Sequence, residues 1–301
     1  MAQSELTPQL VLLEEAVTIL FCQVDDAYYR LNPEGRHYEA LKELSDSEVI
    51  TLALFQQLRG VESERSFLRE VARFFSHLFP GALGLHPSSF HRRVRKLRRH
   101  FEPLRRAILP ELVGEPKTLI VDSTLLAVLH PPREVPQSGC RGSSSAGAAW
   151  VRWGSFSVYG VKLHLLCATN RVPVSYELTP ANTADLSLTE ELLAEADLGG
   201  EVARKLLGDL AYRSQELEEE LAESGIALVS DEASARRPGV RQQIEIRFSS
   251  LKRSFGLGET LATTLVGLAT RIAAKMTAYT YAFLINRMMD RPQGRIKELW
   301  A

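Results

Sequence analysis

Three acidic residues, Asp122, Asp209 and Glu245, stand in sequence settings that favour metal chemistry. Asp122 interrupts an apolar, β-branched run, where a carboxylate costs free energy unless it is paired or binds a cation. Asp209 ends a short apolar segment, and α/β folds place their sites at the carboxyl ends of strands. Glu245 flanks the apolar face of a helix predicted over about 239–255. Taken singly, each has an ordinary alternative: a strand-end carboxylate bonded to backbone amides, a helix cap and a solvated flank.

Together the three acids can bind two Mg²⁺ ions, with Mn²⁺ as the alternative, because these cations prefer carboxylate oxygens. Two such ions can activate an attacking hydroxyl and stabilise the leaving oxygen of a phosphodiester. Lys252 and Arg241 lie near Glu245 in the sequence and are the candidate cations for charge that develops in the transition state. The candidate catalytic set is therefore Asp122, Asp209, Glu245, Lys252 and Arg241, with the three acids as metal ligands.

A second candidate site is the basic segment FHRRVRKLRRHFEPLRR, which begins at Phe90. Its apolar positions recur at intervals of four, three and four residues, so one face is predicted to be buried and the rest cationic. Such a helix can enter a major groove with its first residues near base edges, while the other guanidinium groups contact phosphates. A solvated charged face is the alternative. The candidate DNA-binding residues are Ser89, His91, Arg92, Arg93, Arg95, Lys96, Arg98 and Arg99, of which Ser89, His91 and Arg92 are the predicted base readers.

The secondary structure predicted to position these residues changes in type near residue 116. Before it the chain is predicted to be helical, with Ser45 and Glu48 at capping-box spacing. After it we predict a strand, a hairpin turning at Asn170-Arg171, and then helices alternating with strands. The predicted fold class is α/β: a ribonuclease-H-like mixed sheet flanked by helices, preceded by an all-helical, helix-turn-helix-like N-terminal domain. The predicted domains are residues 1–115 for DNA binding, 116–290 for catalysis and 291–301 as a tail.

Several other segments carry expectations that a structure can test. The Pro-, Gly- and Ser-rich segment 131–155 is predicted to be a loop. Asp185 is interpreted as the N-cap of the following helix in preference to a metal ligand. For Lys162, approach to DNA and an exposed strand face are left as equal alternatives. Ser88 or Ser89 is predicted to cap the basic helix.

Composition restricts the class of protein. The 301 residues carry a net charge of -1, yet residues 71–110 contain nine Lys and Arg against one acid, so a nucleic-acid partner is not excluded. The three cysteines, Cys22, Cys140 and Cys167, are far apart and favour neither a disulfide framework nor a zinc site. Arg271 and Lys275 interrupt the most apolar stretch, 260–285, which is predicted to be a buried helix and not a membrane span. We therefore expect a cytoplasmic protein.

Four segments give the sequence a family resemblance over about residues 45–287. They are VDST around Asp122, YGVKLHLLCATNRVPVSYELTPANTAD through the hairpin, GDLAYRS around Asp209, and RQQIEIRFSSLKRSFGL around Glu245. The chain resembles the DDE transposases of bacterial insertion sequences, most closely the insertion sequence 982 family. The related signature Tyr-x₂-Arg-x₃-Glu-x₆-Lys is matched by Arg241, Glu245 and Lys252, whereas Pro238 stands at the tyrosine position.

The resemblance implies that Asp122, Asp209 and Glu245 are catalytic metal ligands of a DNA transposase. Such an enzyme binds the terminal inverted repeats of its element, cuts a strand with activated water and joins the freed 3′ hydroxyl to target DNA. A homodimer on double-stranded DNA is then expected, in a bacterial cytoplasm and associated with the nucleoid when DNA is bound. Two alternatives remain: a catalytically silent, transposase-derived DNA-binding protein, and a stand-alone metal-dependent nuclease.

Overall fold

A computed structural model describes residues 8–34, 42–127, 148–153, 156–196, 204–230, 255–257, 262 and 264–300. They belong to two compact units, one formed by Met1–Ile108 with Thr270–Ala301 and the other by Leu109–Ala269. We refer to them as the helical unit and the sheet unit. None of the helices within the described ranges is long and apolar enough to cross a membrane.

The helices of the chain follow its local sequence signals. Their bounds are α1 Pro8–Leu31, α2 Asp46–Leu58, α3 Glu64–Phe74, α4 Pro87–Leu97, α5 Phe101–Val113, α6 Thr189–Glu195, α7 Gln215–Glu223, α8 Leu265–Met288 and α9 Lys297–Trp300. The predicted capping box of α2 is confirmed: the Ser45 hydroxyl accepts from the Glu48 amide at 3.0 Å, and the Glu48 carboxylate accepts from the Ser45 amide at 2.6 Å. Two otherwise unpaired amides at the start of α2 are thereby satisfied.

Aromatic side chains form the core of the helical unit. Phe55 of α2 is fully buried, and its ring lies 5.6 Å from that of Phe67 and 5.1 Å from that of Phe75. The ring of Trp300, in the segment predicted to be a tail, lies 6.1 Å from Phe55 and is 1% exposed. A residue near the C-terminus therefore joins an aromatic cluster with Phe55, Phe67 and Phe75, which lie more than 200 positions earlier in the chain.

Helix α8 contains the two cations that interrupt its apolar sequence. Lys275 is 2% exposed and donates to the Glu62 carboxylate at 2.7 Å, while Arg271 donates to the same carboxylate at 3.2 Å. Since a buried ammonium is tolerated only when it is paired, Glu62 accounts for the presence of Lys275 inside the unit. The prediction of a buried helix is confirmed.

In the described part of the sheet unit, six strands form one sheet. Their bounds are β1 Thr118–Ala127, β2 Ala149–Trp153, β3 Phe156–Ala168, β4 Pro173–Pro180, β5 Lys205–Leu207 and β6 Ala227–Val229. β3 pairs antiparallel with β1, β2 and β4, whereas β5 pairs parallel with both β1 and β6. The order β4-β3-β1-β5-β6, with the first strand central and the last two parallel to it, is that of a ribonuclease-H-like sheet. The predicted mixed sheet flanked by helices and the helical N-terminal region are therefore confirmed, whereas the helix-turn-helix-like character of that region stays a prediction.

Strand β2 corrects the expectation that residues 131–155 are a loop throughout. Residues 149–153 form a strand whose register runs from Ala149 opposite Gly160 to Trp153 opposite Phe156. Tryptophan and valine favour extended backbone next to a partner strand, and this local preference outweighs the Gly- and Ser-rich composition around it.

The two faces of β1 have different surroundings. Leu119 and Val121 join a buried cluster with Leu192 of α6 and Leu217 of α7, so these helices cover that face. Because successive side chains of a strand point to opposite faces, Asp122 lies on the other side of the sheet. The alternation predicted for Asp122 and Val121 is in agreement with this cluster.

Candidate functional site

Parallel pairing of β1 with β5 brings the segments that carry Asp122 and Asp209 together. The last pair is Ile120 opposite Leu207, and each aspartate follows it by two residues, Asp122 within β1 and Asp209 beyond the last residue of β5. Asp122 is half-buried in mid-strand, whereas Asp209 is exposed just past the end of β5. The two acids that sequence analysis assigned to separate strands therefore follow the same pair of two neighbouring, parallel strands.

Asp209 also caps a short turn. Its Oδ1 accepts from the Ala211 amide at 2.9 Å, at the start of a 3₁₀ turn over Leu210–Tyr212. The longer helix α7 has a separate cap, Ser214, whose hydroxyl accepts from the Leu217 amide at 3.4 Å. The cap bond fixes the direction of the Asp209 side chain, because one carboxylate oxygen is held by the backbone.

Tyr212 lies beside the same group of acids and was missed by sequence reasoning. Its ring is 1% exposed. Burial, followed by the charges of Asp122, Asp185 and Asp209, raises the pKa of the Tyr212 hydroxyl well above its ordinary value, so it stays protonated at neutral pH. The available signal was an aromatic residue three positions after Asp209 in the segment GDLAYRS.

Asp185 does not cap a helix, which corrects the sequence interpretation. The residue that begins its 3₁₀ turn is Ala184, which makes no side-chain cap bond. The Asp185 carboxylate instead accepts from the Ser123 hydroxyl and, at 2.9 Å, from Lys162 Nζ. Burial raises the pKa of Asp185, but the hydrogen bonds from Lys162 and Ser123 outweigh it and hold the pKa below its usual value.

Lys162 is correspondingly not an exposed strand cation. Its side chain is 13% exposed, and besides Asp185 it donates to the Thr183 carbonyl at 2.6 Å. Of the two alternatives left open by the sequence, the exposed strand face is wrong, and the approach of Lys162 to DNA stays a prediction. The ion pair formed by Lys162 instead ties β3 to the turn that carries Asp185.

The donor set that can be placed fits a hard divalent cation. Asp122 and Asp209 offer carboxylate oxygens and neither sulfur nor imidazole, which suits Mg²⁺ or Mn²⁺ in preference to Zn²⁺. Glu245, Arg241 and Lys252 lie outside the described residues, so the third ligand and the two cations stay predictions. Within the described ranges, no group of three acidic, histidine or cysteine side chains is arranged to hold a metal.

The basic helix α4 has one buried face and one cationic face. Phe90 and Leu97 are buried, at 1% and 7% exposure. Arg92, Arg95 and Lys96 are exposed and share one face by the helical period. Arg98 and Arg99, also exposed, extend this basic surface into the 3₁₀ turn that follows.

The start of α4 differs from the prediction. The helix begins at Pro87 and its N-cap is His86, whose ring nitrogen accepts from the Ser88 amide at 3.3 Å, so neither Ser88 nor Ser89 is the cap. Ser89 is half-buried in the first turn. Proline at the first helical position is favoured because its missing N–H would have had no helical partner.

Two of the predicted DNA-binding residues are engaged within the helical unit. His91 Nδ1 lies 2.9 Å from a Glu64 oxygen of α3. Arg93 donates to Asp46 at 2.6 Å and to the Ser45 carbonyl at 3.2 Å. Burial raises the pKa of Asp46, but its bonds to Lys42 and Arg93 hold that pKa below the usual value. These contacts anchor α4 to α2 and α3, and a DNA-reading role for His91 and Arg93 stays a prediction.

Helix α3 carries a second cationic stripe that sequence analysis missed. Arg65, Arg69 and Arg73 are all exposed and recur at intervals of four, within an arc of about 80° by the helical period. The acids of the same helix are used elsewhere, because Glu64 contacts His91 and Glu70 accepts from Arg59 at 2.8 Å. α3 therefore presents unbalanced positive charge along one face.

Comparison with known proteins relates part of the sheet unit to a transposase domain. Residues 114–237 match a family model described as the transposase DDE domain. The matched segment holds β1–β6 and contains Asp122 and Asp209, and it ends before Arg241. It spans 124 of the 301 residues (237 − 114 + 1), which is less than half of the chain. Residues 114–237 are thus similar to a transposase DDE domain.

Two solved structures resemble the chain weakly. One is a piggyBac transposase synaptic complex with hairpin DNA, with a TM-score of 0.44, 12% identity, and coverage of 97% of this chain and 78% of that one. The other is a Mos1 transposase paired-end complex with the left transposon end, with a TM-score of 0.27, 10% identity, and coverage of 84% and 80%. No curated protein matches the sequence.

Proposed function

We propose that this protein is a DDE transposase that cuts DNA strands and joins them to a target by metal-dependent phosphoryl transfer. The observation that carries the proposal is that Asp122 and Asp209 each follow the last pair of the adjacent parallel strands β1 and β5 by two residues, in a segment similar to the transposase DDE domain. Carboxylates so placed can share hard cations, and the order β4-β3-β1-β5-β6 supplies the frame that holds them.

The metal ligands in this proposal are Asp122, Asp209 and Glu245, with Mg²⁺ or Mn²⁺ as the cofactor. When bound, two such ions supply activation of the attacking water or 3′ hydroxyl and stabilisation of the leaving oxygen. The chain contributes orientation, since Asp122 accepts from the Ser123 amide and Asp209 from the Ala211 amide before any substrate arrives. Arg241 and Lys252 are proposed to meet the charge that develops on the phosphate.

The DNA partner is proposed to be the terminal inverted repeats of the protein's own element. α4 presents Arg92, Arg95 and Lys96 opposite its buried face, which is the arrangement expected of a helix in a major groove. The exposed arginines of α3 are proposed to contact phosphates. From the sequence resemblance, we propose that this element is an insertion sequence of the 982 family in a bacterial host. The protein would then be located in the cytoplasm and would associate with the nucleoid when it binds DNA. Pairing of two element ends calls for a homodimer on DNA.

The test is cleavage and joining of labelled DNA that carries the repeats flanking the gene, with Mg²⁺ and separately with Mn²⁺. Wild type is compared with Asp122→Asn, Asp209→Asn and Glu245→Gln. Glu191→Gln, an exposed acid of α6, is the matched control. We expect wild type and the control to release and join 3′ ends, and the three site variants to bind DNA without cutting it.

Other outcomes would select the alternatives. If wild type binds the repeats but cuts with neither metal, the protein is a catalytically silent DNA-binding relative of transposases. If wild type cuts and never joins, it is a stand-alone nuclease. If Glu245→Gln cuts as well as wild type, Glu245 is not the third ligand and another acid must be sought.

A further inference from the structure

Ser123 contacts two carboxylates, one through its backbone amide and the other through its hydroxyl. Its backbone amide donates to Asp122 Oδ1 at 2.7 Å. Its hydroxyl donates to Asp185 Oδ1, although the two residues are 62 positions apart. Because Asp122 and Ser123 are consecutive in β1, their side chains leave the strand in opposite directions. Ser123 thus links the candidate metal ligand Asp122 to a second acid, Asp185.

Asp185 is itself held in place from the neighbouring strand. Lys162 Nζ donates to its carboxylate at 2.9 Å, and the two side chains are only 13% and 29% exposed. In the β1–β3 register Lys162 is opposite Leu125, and His164 is opposite Ser123. Burial, with a further contribution from the charge of Lys162, lowers the pKa of His164 to about 4, so its imidazole is neutral at pH 7. The charge that balances Asp185 here is therefore the Lys162 ammonium.

We propose that Lys162, Asp185 and Ser123 form a positioning network that fixes the Asp122 carboxylate for divalent-ion binding. The inference rests on the proposed function, since it takes Asp122 to be a metal ligand. Ser123 makes both bonds at once: its hydroxyl donates to Asp185 while its amide donates to Asp122. Loss of the Asp185 bond therefore removes one constraint on the residue whose amide holds the ligand.

The magnitude follows from the behaviour of other outer partners of metal ligands. Removal of such a partner lowers metal affinity by about 10–100-fold even though the ligand itself remains. Lys162, Asp185 and Ser123 are positioning residues in this account, because none of them needs to touch the metal or the DNA.

The experiment measures binding of Mn²⁺ alone to the full chain by electron paramagnetic resonance. Ser123→Ala, Asp185→Asn and Lys162→Met are each expected to weaken Mn²⁺ binding by about 10-fold, the lower end of that range, because the Ser123 amide that bonds Asp122 remains in all three. Ser123→Thr, which keeps the hydroxyl, is expected to retain wild-type affinity. Asp122→Asn reports whether the measured site is the candidate active site.

A matched control separates positioning from stability. The buried Ser175 hydroxyl donates to the Leu192 carbonyl at 2.6 Å, in the same sheet unit but with no contact to the Ser123 network among the bonds described. Ser175→Ala should lower Tm and leave Mn²⁺ affinity unchanged. Tm is therefore measured for every variant beside the binding constant.

The outcomes distinguish failure of the positioning network from failure of the proposed metal site. If Ser123→Ala and Asp185→Asn lower Tm as Ser175→Ala does but bind Mn²⁺ like wild type, the network is only structural and the inference is overturned. If Asp122→Asn also binds like wild type, the proposed function loses its metal site as well. Weakened binding in the network variants, with recovery in Ser123→Thr, supports the inference.

Discussion

The cationic stripe of α3 gives a prediction whose size can be worked out before the measurement. Arg65, Arg69 and Arg73 are exposed on one face, and the acids nearest them in sequence, Glu64 and Glu70, are paired with other side chains. We therefore expect all three guanidinium groups to contact phosphates of bound DNA. Each such contact releases counterions and contributes about −0.9 to the slope of log K against log salt concentration.

Replacing all three arginines by glutamine should therefore reduce the salt slope by about 2.7, which is three times 0.9. Because the counterion term vanishes near 1 M salt, the same change corresponds to an affinity loss of about 500-fold at 0.1 M. Glutamine keeps helix propensity close to that of arginine, so α3 itself should remain folded.

The assay is fluorescence anisotropy of a labelled duplex carrying the flanking repeat, titrated with protein at several NaCl concentrations. Arg30→Gln, an exposed cation at the end of α1, is the control and should leave the slope unchanged. An unchanged slope in the triple variant, with folding intact by circular dichroism, would refute the assignment of α3 to the DNA interface. A loss of affinity that is equal at all salt concentrations would also refute it, because phosphate contacts must be salt-dependent.

Three further predictions concern buried contacts within the helical unit or within the sheet unit. Glu62→Gln leaves the buried Lys275 ammonium without its carboxylate, so urea unfolding should show a loss of about 3 kcal/mol, and a loss below 1 kcal/mol would contradict the pairing. Gly208→Ala places a Cβ atom 2.9 Å from Cβ of Tyr212, so we expect a loss of about 1–3 kcal/mol together with reduced DNA cleavage; wild-type stability and cleavage would show that the contact is not restrictive. His164 has its pKa lowered to about 4 in the folded chain, so between pH 6.5 and 4 the unfolded state binds more protons and stability falls as pH falls. Between pH 7.5 and 5 the loss should be about 2 kcal/mol larger in wild type than in His164→Asn, and equal losses in the two proteins would count against a neutral, buried imidazole.

Local signals were sufficient for much of the fold. The capping box at Ser45 and Glu48 uses atoms three residues apart, and the turn at Asn170-Arg171 joins strands that are adjacent in the chain. The alternation that directs Asp122 away from Val121 follows from strand geometry alone. Each of these features depends on neighbours in the sequence, which a single sequence displays directly.

The features that were missed depend on distant residues or on competition between local preferences. The partner of Asp185 is Ser123, 62 residues earlier, and nothing in the segment TPANTAD indicates that its acid points to β1 rather than to its own helix. The engagement of His91 by Glu64 likewise spans 27 residues. For β2, five extended residues stand beside a segment whose glycines and serines favour a loop, and pairing with β3 decides the outcome.

The helical unit is discontinuous along the chain, since Met1–Ile108 and Thr270–Ala301 belong to one compact body. During synthesis the ring contact of Phe55 with Trp300 and the ion pair of Glu62 with Lys275 can therefore form only after the later residue of each pair has been added to the chain. A polypeptide released before residue 270 would leave apolar surface of α2 uncovered and the Glu62 carboxylate without two of its cations. We therefore expect chains that lack the residues from 270 onward to be prone to proteolysis, so that the folding of the first helices depends on a segment more than 150 residues later.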